Sequence, residues 1–414
     1  MTRGARERLV VWAVYAAVLA LAPLVFSKGF ALTLLCQMGI VVVFALSYNM
    51  LLGQTGLLSF GHAVYYGLGA IITIHALNLG HGKLPVVFMP LVGGIAGLFF
   101  GVVLGYVTTR RAGTTFAMIS LGVGEMVAAC SLMFPAFFGG EAGISGNRSA
   151  GTHFFGITFG PQIQMYYLVA AWVLACTVAM HALSRTPLGR MANAVRDNPE
   201  RAQFVGYDPK MVRFMMVALS GFFAGVAGGL AALNYEIVNA ESLSARTSGL
   251  VLLATYLGGM GFFAGPIVGA VVVTLMQTLL AMVTKAWPFY FGVVFLATVL
   301  FIPGGLASVA MLHKRLWDAR QARRAGVVYA AMALPVTAVL CAVIAMVEMA
   351  YHASGDVEGP FRMFGREFDA NSWGPWIGAV LVLAAASLAC RWTWRRVAPR
   401  WNEVAQAMAA GSAR

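Results

Sequence analysis

Seven histidines, five cysteines and fifteen acidic residues are the side chains from which a nucleophile, an acid–base pair or a metal site would have to be built. Their spacing builds none of these. Cys36, Cys130, Cys176, Cys341 and Cys390 lie far apart in apolar segments, with no C-x-x-C and no histidine at ligand spacing, so they read as small hydrophobes. There is no H-E-x-x-H, G-x-S-x-G or G-x-G-x-x-G. A phosphate-cradling G-x-x-x-x-G-K-[ST] is also missing. The nearest text, GHGK at 80–83, lacks both the spacing and the hydroxyl. The sequence therefore predicts no catalysis, no metal and no cofactor on this chain. Two polar groups of residues remain. One is Asn49, Gln54, Ser59 and His62, at a glycine-dense stretch, together with Glu125. The other is a long insert from Leu183 to Arg213, with six basic and three acidic side chains.

The elements that must position these residues are set by hydropathy. The chain has 414 residues, of which 60% are hydrophobic and only 10% charged. Soluble domains carry about 25% charged residues, and a helical span needs about 20 apolar ones. Apolar runs recur at 9–27, 30–52, 86–108, 114–135, 164–183, 214–234, 249–260, 263–284, 288–303, 326–349 and 374–390. The chain is expected to be an all-α, polytopic transmembrane bundle of about ten core spans plus two C-terminal ones. The first run has no small-x-small cleavage site before Ser27 and reads as a retained span. The net charge of +13 does not point to nucleic acid. The basic residues sit in short blocks between apolar runs, the pattern that sets membrane orientation. Twelve crossings with the N-terminus inside leave 21 of the 28 basic residues on the inner side. The insert then faces inward, and the loops 138–163, 235–248 and 350–373 face outward.

Glycine density at Gly53, Gly56, Gly61, Gly67 and Gly69 breaks or thins a helix. Two readings stand: irregular backbone lining a wet path, or close packing of helices through small residues. The stretch at Gly258 and Gly261 echoes Gly53 and Gly56, a weak internal repeat. Glu125 falls near the middle of its run, where a carboxyl group is expected to face the bundle interior or a pathway. Within the insert, Pro187 opens a helix with a basic face over 189–197. Asn198 caps a second one, Pro199 is its first residue, Glu200 suits its N-terminus and Gly206 closes it. Two short polar helices projecting from a bundle make a docking element for a soluble partner.

The chain resembles the permease subunits of branched-chain amino acid ABC importers, a family that also includes urea and amide importers. Four stretches carry the likeness: 47–70, 114–126 with 143–146, 188–233, and 257–270 with 301–306. Such permeases carry an E-A-A-x-x-x-G coupling pattern. Here it reads Glu200, Arg201, Ala202, Gln203, Phe204, Val205, Gly206, so Arg201 departs from it. The resemblance implies a coupling loop of Arg196, Asp197, Asn198, Pro199, Glu200, Arg201, Ala202 and Gly206, seated in a cytoplasmic ABC ATPase. It also implies a second permease subunit, an extracytoplasmic solute-binding protein and a bacterial inner-membrane location among lipid, with the N-terminus cytoplasmic. The expected function is import of branched-chain or related small amino acids along Asn49, Gln54, Ser59, His62 and Glu125. The alternatives are a urea or short-amide permease and an ion-coupled secondary transporter. The expected organisation is a core over 1–310, a basic linker over 311–325 and a two-span extension over 326–414 with an acidic loop (Asp356, Glu358, Glu367, Asp369), which the resemblance does not account for.

Overall fold

The structure is a computed structural model. It describes the chain except residues 1–2, 81–83, 151–157, 303, 319–320, 355–360, 364–365, 369–371 and 413–414. Residues 81–83 of the GHGK stretch, and Asp356, Glu358 and Asp369 of the acidic loop, lie outside the described residues. The helices are α1 (Arg3–Val25), α2 (Gly29–Thr55), α3 (Ala63–Leu79), α4 (Met89–Thr108), α5 (Thr114–Met133), the single turn α6 (Pro135–Phe138), α7 (Gln162–Arg185), α8 (Pro187–Asp197), α9 (Pro199–Phe204) and α10 (Pro209–Tyr235). They continue with α11 (Ala245–Gly258), α12 (Gly265–Leu275), α13 (Ala281–Val283), α14 (Trp287–Phe301), α15 (Gly305–Asp318), α16 (Ala322–Ala353) and α17 (Trp373–Ser412). The strands form two antiparallel pairs, β1 (Ile144–Ser145) with β2 (Ile237–Val238) and β3 (Phe361–Met363) with β4 (Arg366–Phe368). The molecule is an all-α polytopic bundle.

Among the described residues, eight helices are long and apolar enough to cross a membrane, or nine if Trp287–Phe301 and Gly305–Lys314 make one span. The apolar helices Leu9–Val25 and Ala63–Leu79 are shorter. The expected twelve crossings include the shorter apolar segments, of which α11 is one. At about 1.5 Å per residue it is too short to cross a ~30 Å hydrocarbon layer alone.

The chain forms two compact units, Met1–Thr278 with Ala297–Ala307, and Leu279–Leu296 with Ser308–Arg414. In the first, α10 is the axis, packed against α4, α3 and α2. Its glycine face explains the fit. A Cβ on Gly225 would fall 3.0 Å from the Cα of Gly97, and one on Gly69 would fall 2.6 Å from the Cα of Gly225, so three helices meet backbone to backbone. In the second unit α16 and α17 pack along each other. Leu316, Ala325 and Val404 form a small core there with Leu312 and Trp401. The Tyr290 hydroxyl donates to Glu348 Oε1 at 2.8 Å.

The glycine-dense stretch divides between the two sequence readings. Only residues 56–62 leave the helix, and Gly67 and Gly69 lie inside α3 as packing points. Thr255 Oγ1 donates to the Ala45 carbonyl, and a Cβ on Gly53 would meet the Met260 carbonyl at 2.6 Å. The end of α2 therefore runs alongside α11. Beyond it, Ala63 N–H bonds Ser248 Oγ near the other end of α11. Residues 56–62 thus travel back along the length of α11 before α3 begins.

Candidate functional site

Irregular backbone inside a membrane bundle must find hydrogen-bond partners within the protein. Residues 56–62 find them in specific side chains. Tyr48 Oη donates to the Ser59 carbonyl at 2.9 Å, Phe60 N–H bonds Ser120 Oγ at 3.1 Å, and Ala63 N–H bonds Ser248 Oγ at 2.9 Å. Tyr48, Ser120 and Ser248 were not expected from sequence. Small hydroxyls in apolar runs carry no local signal that they serve another segment.

Asn49, Gln54, Ser59 and His62 are all buried around this break. Ser47 Oγ donates to the Phe44 carbonyl at 2.7 Å and lies 3.0 Å from His62 Nε2. With its one proton committed, the serine oxygen accepts from Nε2–H, which leaves His62 Nδ1 as an acceptor. Among the described residues Nδ1 has no protein partner, and neither do Asn49 Oδ1 and Gln54 Oε1. All three are acceptors. Glu125 does not join them. The buried residues of α5 are Phe116, Ala117, Ser120, Gly124 and Ser131, so the face that meets residues 60–61 is another one, and Glu125 is exposed. The expectation that it faces the interior of this chain is corrected by helical phase.

The insert folds as its caps require. Thr186 accepts from Gly189 N–H and starts α8. Asn198 Oδ1 accepts from Arg201 N–H at 2.9 Å and starts α9. Asp208 Oδ1 accepts from Lys210 N–H at 2.9 Å and starts α10. Gly206 has φ +91°, a left-handed conformation suited to glycine. The residues of the coupling pattern then divide. Ala202 is buried against the bundle, and Asp197, Pro199, Glu200 and Arg201 are exposed. Phe204 is 91% and Val205 71% exposed. Arg196 is also exposed, with 38% of its side chain accessible, but its tip reaches back to the end of α2. Its Nη1 donates to the Gly53 carbonyl, and Nε and Nη2 each lie 2.9 Å from Asp197 Oδ1. A cavity of about 390 Å³ opens at this point, lined by Leu52, Gly53, Gly56, Arg196, Tyr256 and Met260 with Gly261 and Gly304.

With the geometry described, comparison with known proteins decides the family. Residues 30–303 match the model of the branched-chain amino acid transport system / permease component. The chain belongs to this family of ABC transporter permeases. The permease is 27% identical over 315 residues to the high-affinity branched-chain amino acid transport system permease protein LivM of Salmonella typhimurium, covering 71% of this chain and 73% of the relative. It is 28% identical over 298 residues to LivM of Escherichia coli, covering 67% and 70%. A fructose import permease protein, FrcC of Rhizobium meliloti, is 27% identical over 263 residues, covering 60% and 70%. No solved structure matches significantly.

At the other end of α10 the permease holds a second polar cluster. Arg148, only 8% exposed, donates through Nη1 to the carbonyls of Leu233 and Asn234 and through Nη2 to the Gly160 carbonyl and Gln162 Oε1. Its backbone N–H bonds Glu236 Oε1 at 2.9 Å, and Gln162 Nε2 bonds Asn234 Oδ1 at 3.0 Å. With the β1–β2 pair, this network ties the loop after α6 to the end of α10. One signal was available in the sequence: the crossing count left Arg148 on the side where basic residues are depleted, so its charge needed a local reason.

Proposed function

We propose that this permease imports branched-chain or related small amino acids, driven by a cytoplasmic ABC ATPase docked on the insert. The observation that carries the reading is Phe204. It sits nine-tenths exposed beside Val205, on a capped helix whose glutamate, alanine and glycine fit the coupling pattern. An aromatic side chain in water on a polar insert has no packing role in this chain, and apolar groups projected in this way serve binding. The insert and the β1–β2 pair lie at opposite ends of α10, about 40 Å apart at 1.5 Å per residue. The positive-inside count, taken with the N-terminus inside, supports a cytoplasmic insert in an inner-membrane protein. The opposite end then meets an extracytoplasmic solute-binding protein. A carboxylate facing lipid in mid-span is costly, so Glu125 on the open face of α5 is read as meeting a second permease subunit or lining the path between the two.

The amino-acid reading rests on the LivM relatives. The buried acceptors of Asn49, Gln54 and His62 suit a solute rich in N–H donors and lie on the break that a moving bundle would rearrange. Co-purification tests the docking. Phe204→Ala should lower recovery of the ATPase by about ten-fold, and undiminished recovery would remove the docking role. Uptake into proteoliposomes holding the whole transporter tests the solute. Leucine should compete for uptake, and competition by fructose or urea in its place would reassign the substrate.

A further inference from the structure

The end of α2 carries an unusual demand. A helix leaves its last carbonyls without intrahelical partners and ends on the negative pole of its dipole. Here Gly56 turns the chain with φ +68°, and the N–H groups of Gly56 and Leu57 bond back to Leu52 and Leu51. The Gly53 carbonyl receives the Arg196 guanidinium from 143 residues away. The space for that side chain is made by glycine, because a Cβ on Gly56 would fall 2.9 Å from Arg196 Cγ. The same short segment touches the second helix break, since a Cβ on Gly53 would fall 2.6 Å from the Met260 carbonyl. Gly259, at φ +109°, is equally tight against a third break, because a Cβ on Gly305 would lie 2.5 Å from its Cα. The cavity of about 390 Å³ sits where these breaks meet.

We infer that Arg196 is a positioning residue that ties the ATPase-docking insert to the helix breaks, so that movement of α8 and α9 pulls the end of α2 and changes the opening at Gly53, Met260 and Gly304. The inference rests on the docking reading and deepens it. It separates two tasks within the insert: Phe204 and Glu200 face outward and hold a partner, whereas Arg196, itself partly exposed, reaches the Gly53 carbonyl and transmits. Asp197 keeps the guanidinium aimed through two nitrogens while Nη1 stays on the carbonyl, a fork that a lysine ammonium cannot reproduce. Such a link has a signature that neither docking nor stability has, because it acts on solute moved per ATP hydrolysed.

The experiment uses the complete transporter, with both permease chains, the ATPase and the binding protein, in proteoliposomes. Solute uptake and ATP hydrolysis are measured together for wild type, Arg196→Ala, Arg196→Lys and Asp197→Asn. In intact purified complexes, Arg196→Ala should lower uptake per ATP by about ten-fold. Arg196→Lys and Asp197→Asn should fall between it and wild type. A ratio within about two-fold of wild type in Arg196→Ala would overturn the inference. Loss of ATPase from both the Ala and the Lys complexes would also overturn it, by making Arg196 a docking residue. Failure of the underlying reading shows separately, as a wild-type complex with no ATPase bound or no ATP-dependent uptake.

Discussion

Arg148 directs its guanidinium at three carbonyls and the Gln162 side chain in a setting that leaves it almost no water. Replacing it by leucine would strand those acceptors, so Arg148→Leu should lower stability by about 3 kcal/mol, the scale of charge-assisted bonds lost with burial retained. Thermal unfolding in detergent reads this, and an unchanged midpoint would show that water replaces the guanidinium freely. Ser120 is the milder case. Its Oγ accepts from Phe60 N–H in the irregular segment, and Ser120→Ala should cost about 1 kcal/mol by leaving a partly buried donor unpaired. The same melting experiment decides it. Neither role was legible in the sequence. Arg148 stands in a glycine-rich loop and Ser120 in an apolar run, and their partners are 85 and 60 residues away.

At the scale of elements, local information went further. Pro187, and the Asn198 cap with Pro199 after it, predicted where the insert helices begin, because a cap acts within three residues; the structure adds Thr186 and Asp208 as caps. Asn198→Ala should therefore weaken α9 by about 1 kcal/mol and lower ATPase recovery less than Phe204→Ala does. Co-purification at matched expression compares the two. The helix crossing at Gly225 is a packing matter. Gly225→Val would drive a branched side chain into the backbone of α4, where overpacking costs about 1–3 kcal/mol and moves backbones. A clear fall in melting midpoint is expected, and an unaltered one would mean that α4 yields. The glycine-dense stretch shows the limit of reading elements from composition. Gly56 and Gly67 look alike in sequence, yet one ends a helix and the other lets Leu243 approach α3.

For the whole molecule, the family model accounts for residues 30–303, while residues 279–296 group with the C-terminal helices. Deleting 326–414 would remove Glu348, leaving the Tyr290 hydroxyl without its acceptor, and would take Val404 and Trp401 from the cluster around Leu316. The truncated chain should reach the membrane with a lower melting midpoint, and an unchanged midpoint would show that Leu279–Leu296 stands without the extension.

By itself the sequence determined a membrane-embedded helical bundle, the position of the polar insert, its two short helices and the family likeness. Each of these depends on hydropathy over about 20 residues or on caps that reach three. Only the tertiary structure decided that Glu125 lies on the open face of α5, that residues 56–62 are held by Tyr48, Ser120 and Ser248, and that the partly exposed Arg196 bonds the Gly53 carbonyl. Those facts depend on which faces meet across long stretches of chain, and close glycine packing sets that only once every helix is in place.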